Sequence, residues 1–424
     1  MKRIGFLLVL VTLLAAACSS DNKSTTSSSG PTTAKVQVDG STPAFNAAFT
    51  SYFPNEVKVH PGDTVSFNSV FRGEPHSVSF GTLVDQGLAA AAPHANDQNF
   101  DESSIPQLAA IPPMVPQGPG DANQVSAQPC FITSGNPPGP GDTPCPNHSA
   151  TPPEFTGTES FFSSGFLPNG DTFNVKLASN IKPGTYSYFC TLHTTSMVGK
   201  VTVVAADTKV PTATENQAAA DQQLQSKVQA LQPAVDAAKN STPDKAAAGV
   251  ASEQVQDAEA NIFAPQTASI PVGGTVNWTI LGAHTISFNA PEDAKVIIAK
   301  APDGSVHLNQ KTGAPAGGGV PQPQSPPGGD QSGGSSSTTT AASSTTTTGA
   351  ESTTTGAGGG GPGGLPPATP VDGGSYNGSG FYSSGFYLSF PPNFNSYTMK
   401  FTKAGTYNYV CLVHPGMEGT VKVG

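Results

Sequence analysis

Four blocks of sequence recur in the same order in the two halves of this 424-residue chain. "GDTVSF" (62–67) answers to "GGTVNW" (273–278), and "PHSVSF" (75–80) answers to "AHTISF" (283–288). "FFSSGF" (161–166) answers to "FYSSGF" (381–386), and "KPGTYSYFCTLHTTSMVGKVTV" (182–203) to "KAGTYNYVCLVHPGMEGTVKV" (403–423). The Phe that closes the third block stands 24 residues before Cys190 in one copy and 25 before Cys411 in the other. A repeat of this order and spacing demands two homologous domains, each able to bury its own core.

Each block reads as β. "VKVHPGDTVSF" and "ASIPVGGTVNW" alternate apolar and polar residues around Pro/Gly turns. "GTYSYFC" and "GTYNYVC" alternate up to the cysteine, and "GKVTVV" and "GTVKVG" are closing strands. With 47 Gly and 40 Pro, the chain favours strands, turns and connectors over a helical bundle. The expectation is all-β, with one antiparallel sandwich per half. Tyr186, Tyr188, Tyr407 and Tyr409 belong to packing rather than to redox relays.

Between the halves, "TENQAAADQQLQSKVQALQPAVDAAK" (214–239) places Leu224, Val228, Leu231 and Val235 at helical spacing. This predicts a linker of one or two helices, kinked or ended at Pro233, acting as a spacer or packing arm. Each half also carries an insertion after its His-bearing strand, at about 82–158 and about 312–372. The second is Gly/Ser/Thr low complexity and cannot bury enough apolar surface to fold, so disorder is expected there. The resulting map is 35–206 for the first domain, 207–258 for the helical linker and 259–424 for the second domain.

The N-terminus speaks for export. Lys2 and Arg3 precede an apolar run from Ile4 to Leu14, followed by Ala15-Ala16-Ala17-Cys18. This resembles a bacterial lipobox, although Ala15 stands where such boxes prefer Leu. The resemblance implies a signal peptide over 1–17, a lipid on Cys18, a flexible Ser/Thr-rich tether over 18–34 and attachment outside the cytoplasmic membrane. An ordinary secretory signal with Cys18 incidental is the other reading. The net charge of −10, without Lys/Arg clusters, argues against nucleic acid as a partner.

Five cysteines are present, and three have ready explanations. Cys18 takes the lipid. Cys130 and Cys145 flank a Pro/Gly-rich stretch and are expected to close a local disulfide loop in an oxidising compartment. Cys190 and Cys411 remain, at matching places in the repeat. Cys190, His193 and Met197 share one short loop as Cys-x2-His-x3-Met, and Cys411, His414 and Met417 share the other as Cys-x2-His-x2-Met. The histidines that recur in register upstream are His76 and His284. Two imidazoles, a thiolate and a weak axial thioether describe a blue-copper site, and a Met ligand disfavours zinc. His60, His94, His148 and His307 have no matching partner in the repeat and read as solvated, while Met114 and Met399 read as packing.

At these motifs the chain resembles the cupredoxin family, of the plastocyanin, pseudoazurin and amicyanin type. The likeness covers about 35–81 and 159–204 in one domain, and 259–290 and 375–424 in the other. It implies a Greek-key sandwich in each half. It also implies one type 1 copper at His76, Cys190, His193 and Met197, and another at His284, Cys411, His414 and Met417. The family would make the loop histidines, His193 and His414, the solvent-edge route for electrons. Ser77 and Thr285 stand where many plastocyanin-like proteins have Asn, and the first loop's Met spacing is longer than usual.

The function this implies is a membrane-anchored, two-centre copper protein that passes single electrons between redox partner proteins. Copper sequestration or delivery without electron transfer is the alternative. No His-x-His motif of a type 2 or trinuclear copper enzyme occurs, so an enzyme is not expected.

Overall fold

The computed structural model describes residues 30–70, 72–95, 97, 100–111, 127–138, 145, 151–295, 297–300, 306–313, 371–389 and 395–424. Pro31–Gly424 form one unit. The first half opens with β1 (Thr33–Val38), β2 (Ala47–Phe49), β3 (Tyr52–Phe53), β4 (Glu56–Val59), β5 (Thr64–Ser69) and β6 (Ser79–Phe80). The helices α1 (Thr82–Ala91) and α2 (Pro106–Ala109) and strand β7 (Cys130–Ile132) belong to its insertion. It closes with β8 (Phe161–Ser163), β9 (Thr172–Lys176), β10 (Gly184–Cys190) and β11 (Thr194–Val203). After helix α3 (Ala213–Ala238) come β12 (Ala246–Ser252), β13 (Val255–Ala264), β14 (Thr267–Ile270), β15 (Thr275–Ile280), β16 (Gly282–His284) and β17 (Ser287–Phe288). Strands β18 (Ile298–Lys300) and β19 (Val306–Leu308) and the short α4 (Gln310–Gly313) follow. The chain ends with β20 (Val371–Tyr376), β21 (Tyr382–Ser383), β22 (Tyr387–Ser389), β23 (Asn395–Phe401), β24 (Gly405–Val410) and β25 (Glu418–Val423).

Each half is a two-sheet sandwich, so the fold is all-β and cupredoxin-like as expected. The first packs sheet β3-β1-β5-β9 against sheet β4-β11-β10-β6-β8-β7. The second packs β2-β13-β12-β15-β23-β20 against β14-β25-β24-β17-β21. Most ladders are antiparallel, but β1–β5, β4–β11, β12–β15, β14–β25 and β20–β23 are parallel. The alternation is visible in burial. β4 and β14 each expose and bury residues in turn, and the buried members meet in one core per half. Phe67, Phe80 and Tyr188 stack edge-on and tilted in the first core. In the second, Trp278 donates its Nε1–H to Tyr409 Oη at 3.1 Å, satisfying the buried indole.

Two features of the junction depart from the sequence expectation. Helix α3 is a single helix that runs through Pro233 to Ala238, opened by a capping box of Thr212 and Glu215. An interior proline costs about 3 kcal/mol. Here Leu231 and Val235, on either side of it, are fully buried and offset that cost. The stretch expected to be linker up to 258 instead contains β12, which lies beside β15 in the second sandwich with Ala246 opposite Trp278.

The second departure is β2. It comes from the first half yet pairs antiparallel with β13, Phe49 opposite Ala258 and Ala48 opposite Glu259. Helix α3 covers this seam. Leu231 and Val235 share one core with Ala47, Phe49 and Phe53 of the first half and Val250, Val255 and Ala260 of the second. The linker is thus a packing arm. The insertion expected to be disordered at 312–372 lies outside the described residues except at its ends. In the first insertion, Cys130 and Cys145 form the expected disulfide, with Cα atoms 5.4 Å apart.

Candidate metal centres

At one end of each sandwich the repeated motifs bring a cysteine and two histidines together. His76 enters from the segment before β6, while Cys190 ends β10 and His193 lies in the turn to β11. His284 ends β16, and Cys411 and His414 lie between β24 and β25. In each trio the ligand atoms lie within 4.8 Å of one another. Cys190, Cys411, His76, His284 and His414 are buried, and His193 is 17% exposed.

Hydrogen bonds shape both loops. The Ser77 N–H donates to Cys190 Sγ at 3.4 Å, and Ser77 Oγ accepts from the Thr191 N–H at 3.0 Å. In the second copy the Thr285 N–H donates to Cys411 Sγ at 3.5 Å, and Thr285 Oγ1 accepts from the Leu412 N–H at 2.8 Å. Residues 77 and 285 therefore lock the His-bearing segment to the Cys loop, the task expected of an Asn there. The Cys411 N–H donates to the Met417 carbonyl at 3.0 Å and the Met417 N–H to the His414 carbonyl at 3.1 Å. That tight turn passes through Gly416 at φ 80°, where a side chain would be strained. The longer first loop is absorbed by a bulge at Phe189/Cys190, after which Cys190 pairs with Thr194. Met197 and Met417 are both buried, each in the same core as its own cysteine.

The donor atoms fit a metal ion. In the second centre Cys411 Sγ lies 3.7 Å from His284 Nδ1 and 3.6 Å from His414 Nδ1, and the two nitrogens are 3.0 Å apart. The circle through three points so spaced has a radius of about 2.0 Å, the length of a bond from zinc to imidazole, and somewhat short of one to thiolate. In the first centre Cys190 Sγ lies 3.9 Å from His76 Nδ1, and His193 Nδ1 is buried without a hydrogen-bond partner. A buried nitrogen left unpaired in this way is costly unless it ligates. Thiolate and two imidazoles, with a methionine buried in the same core, suit copper.

Charge prepares these ligands. Burial alone would push both thiols up, but the flanking imidazoles outweigh it and hold Cys190 and Cys411 well below the usual thiol range. Three imidazoles have a carboxylate behind them. His76 Nε2 lies 3.5 Å from Asp39 Oδ2, His193 Nε2 lies 3.4 Å from Glu74 Oε2, and His284 Nε2 lies 2.5 Å from Glu259 Oε1. Against the pull of burial, these carboxylates and the thiolates raise His76 to about 10, His193 to about 9 and His284 to about 10. Such partners fix ring orientation and tautomer in metal sites.

Six of the eight expected ligands are thus placed in two groups, His76, Cys190 and His193 in one half and His284, Cys411 and His414 in the other, while Met197 and Met417 are buried in the corresponding cores. The sequence reading missed Asp39, Glu74 and Glu259. Asp39-Gly40 has the look of a turn, and Glu259 shares β13 with a second acid, Asp257, so neither is marked out by local pattern. The expectation that both loop histidines face solvent is corrected. His414 is 1% exposed because the first sandwich covers it. Of the histidines expected to be solvated, His60 Nε2 donates to the Thr208 carbonyl (2.8 Å) and His94 stacks on Phe100. Cys18 and Met114 lie outside the described residues.

Two β-sandwiches, each bringing two histidines and a cysteine together at one end, have a cupredoxin-like fold. Residues 158–204, which carry the first Cys–His loop, match the family model of copper binding proteins, plastocyanin/azurin family. No curated protein matches the chain. Among solved structures it is similar to auracyanin A, a "blue" copper protein from Chloroflexus aurantiacus, at 21% identity over 41% of this chain and 100% of that one, with a TM-score of 0.22. Dithionite-reduced auracyanin from Roseiflexus castenholzii is 19% identical over 42% of this chain and 100% of that one (TM-score 0.21). A Cu(I) mutant of amicyanin is 14% identical over 41% and 82% (TM-score 0.19).

Proposed function

We propose that this chain is a type 1 copper protein with two centres that passes single electrons between redox partners outside the cytoplasmic membrane, held there by a lipid on Cys18. The observation that carries the reading is the second centre's triangle of Sγ and two Nδ1 atoms, buried and sized for a metal. Copper bound there would alternate between Cu(I) and Cu(II), taking up and releasing one electron.

The chain's own residues supply the rest. Cys190 and Cys411 are held as thiolates, so each can ligate without first losing a proton. The carboxylates behind His76, His193 and His284 keep those rings from turning. The N–H donors of Ser77 and Thr285 fix the sulfurs. Met197 and Met417, buried in the same cores as their cysteines, would supply the thioethers in this reading. Ligands so anchored favour a carrier, whose geometry changes little with oxidation state, over a delivery protein, whose ligands must let go. Membrane attachment rests on Cys18 and the lipobox-like stretch. Among the described residues no helix is long and apolar enough to cross a membrane.

The test is a visible spectrum of the copper-loaded protein. It should bind two copper ions and show an intense thiolate-to-copper band in the orange-red. Cys190→Ser and Cys411→Ser should each remove one centre and leave the other. A fully loaded but colourless Cu(II) form would refute the blue-copper geometry, and a Cys190→Ser variant that bleached both centres would refute two independent sites.

A further inference from the structure

We propose that the two centres exchange electrons inside the chain, across a seam where residues 72–74 of the first sandwich seal His414 of the second. This leaves His193 as the histidine through which the pair meets solvent. The inference rests on the copper-carrier reading and deepens it.

The seam is made of named contacts. Gly73 has φ 123°, and a Cβ there would fall 2.4 Å from His414 Cδ2 and 2.6 Å from the Val413 carbonyl oxygen. Only a glycine lets this backbone lie against the imidazole. Its neighbour Glu74 reaches the other way, to His193 Nε2 at 3.4 Å. Burial pushes the Glu74 carboxyl up, but His193 and, less, His414 and His76 hold it down at about 2. Asn46 pins the arrangement from both sides. It accepts from Arg72 Nη2 at 3.3 Å and donates to the Pro415 carbonyl, in the His414 loop, at 2.9 Å.

These contacts make a short path between the centres. From His193 it crosses one ionic contact to Glu74, follows covalent bonds to Gly73, and crosses one van der Waals contact to His414. Electron tunnelling weakens steeply with each through-space gap, so a path with two such contacts is a strong one. His414, meanwhile, is buried, and its Nε2 has no hydrogen-bond partner. A partner protein cannot touch this ring, whereas His193 retains 17% exposure. One electron moves in each exchange. One copper passes from Cu(I) to Cu(II) as the other passes from Cu(II) to Cu(I), with no proton transferred and no ligand bond made or broken.

The test uses the full copper-loaded chain, given less than one electron per molecule by pulse radiolysis. The Cys190→Ser and Cys411→Ser variants supply each centre's own spectrum. Electrons should redistribute between the centres in a first-order phase whose rate does not depend on protein concentration. In Gly73→Ala the new methyl must lift the segment from the ring, and the wider gap should slow the phase by about tenfold. If Gly73→Ala fails to fold, Asn46→Ala unties the same seam and carries the same expectation. A second readout needs no copper. In the metal-free protein, deuterium exchange at the imidazole Cε1–H, read by mass spectrometry, should proceed at His193 and spare His414, and the seam variant should expose His414. A redistribution rate that scales with protein concentration, or one unchanged in a variant whose His414 has become reactive, would overturn the relay. So would equal reactivity of the two histidines in the native chain. Intact blue bands without the first-order phase would sink this inference alone, whereas missing bands would sink the carrier reading.

Discussion

Behind three of the four histidine ligands stands a carboxylate that, together with the neighbouring thiolate, keeps the ring charged before any metal arrives. His76 and His284, raised to about 10, and His193, raised to about 9, are imidazolium at pH 7 in the metal-free protein. A metal takes the neutral ring, so loading must expel these protons. The thiols, held well below their usual range, release none. The sign follows: raising the pH removes the competing protons, so copper affinity should climb through neutrality and level off above about pH 10. Calorimetry of copper loading in buffers of different ionisation heat should show proton release at pH 7 that fades near that limit. Loading at pH 7 with no proton release would contradict the ion pairs. The ligands themselves were legible because a loop of three donors recurs twice. Asp39, Glu74 and Glu259 were not, since each lies far along the chain from the ring it holds.

At the scale of elements, the β reading followed from alternation and turn residues, and the helix from its period of apolar residues. Elements lacking such a pattern were missed. "AAF" in β2 is a three-residue apolar run with no alternation to read, and β12 ("AAAGVAS") resembles the Ala-rich linker before it. The first insertion is more ordered than its Pro/Gly content suggests, because α1 and the disulfide pack in a core that reaches Phe161 and Phe189. Glu102 from this insertion also accepts from the hydroxyls of Thr194 and Thr195, beside His193. The bridge closes a loop with a separation of 15 residues, for which chain entropy gives about 3 kcal/mol. A Cys130→Ser/Cys145→Ser variant should lose stability of that order in denaturant unfolding and keep both blue bands. Loss of either band would mean that the insertion shapes a centre.

Across the whole molecule, α3 and β2 weld the two sandwiches. Lys227 pairs with Asp257 at the seam, and the Ser51 hydroxyl donates to the same carboxylate at 2.8 Å. Because Leu231 is fully buried against both halves, Leu231→Ala should cost about 2–5 kcal/mol and lower both together. Trp278 fluorescence reports the second sandwich, and hydrogen exchange of β1 and β5 reports the first. Parallel shifts are expected, and a shift in one probe alone would show that the halves unfold independently.

What the sequence by itself determined is local or repeated: two sandwiches, a helix between them, and a Cys-His-Met loop with its upstream histidine in each. Alternation, glycine turns and donor spacing are properties of short stretches, and their recurrence separated them from chance. What only the tertiary structure decided is how the halves meet. A strand pairs with whichever edge packing presents, and β2 crosses to β13 because helix α3 buries both under one apolar face. That crossing lays Gly73 on His414 and turns a histidine expected at the surface into a buried one. Burial of this kind depends on residues more than 300 positions apart, such as Asn46 and Pro415 with a separation of 369, and no local pattern records it.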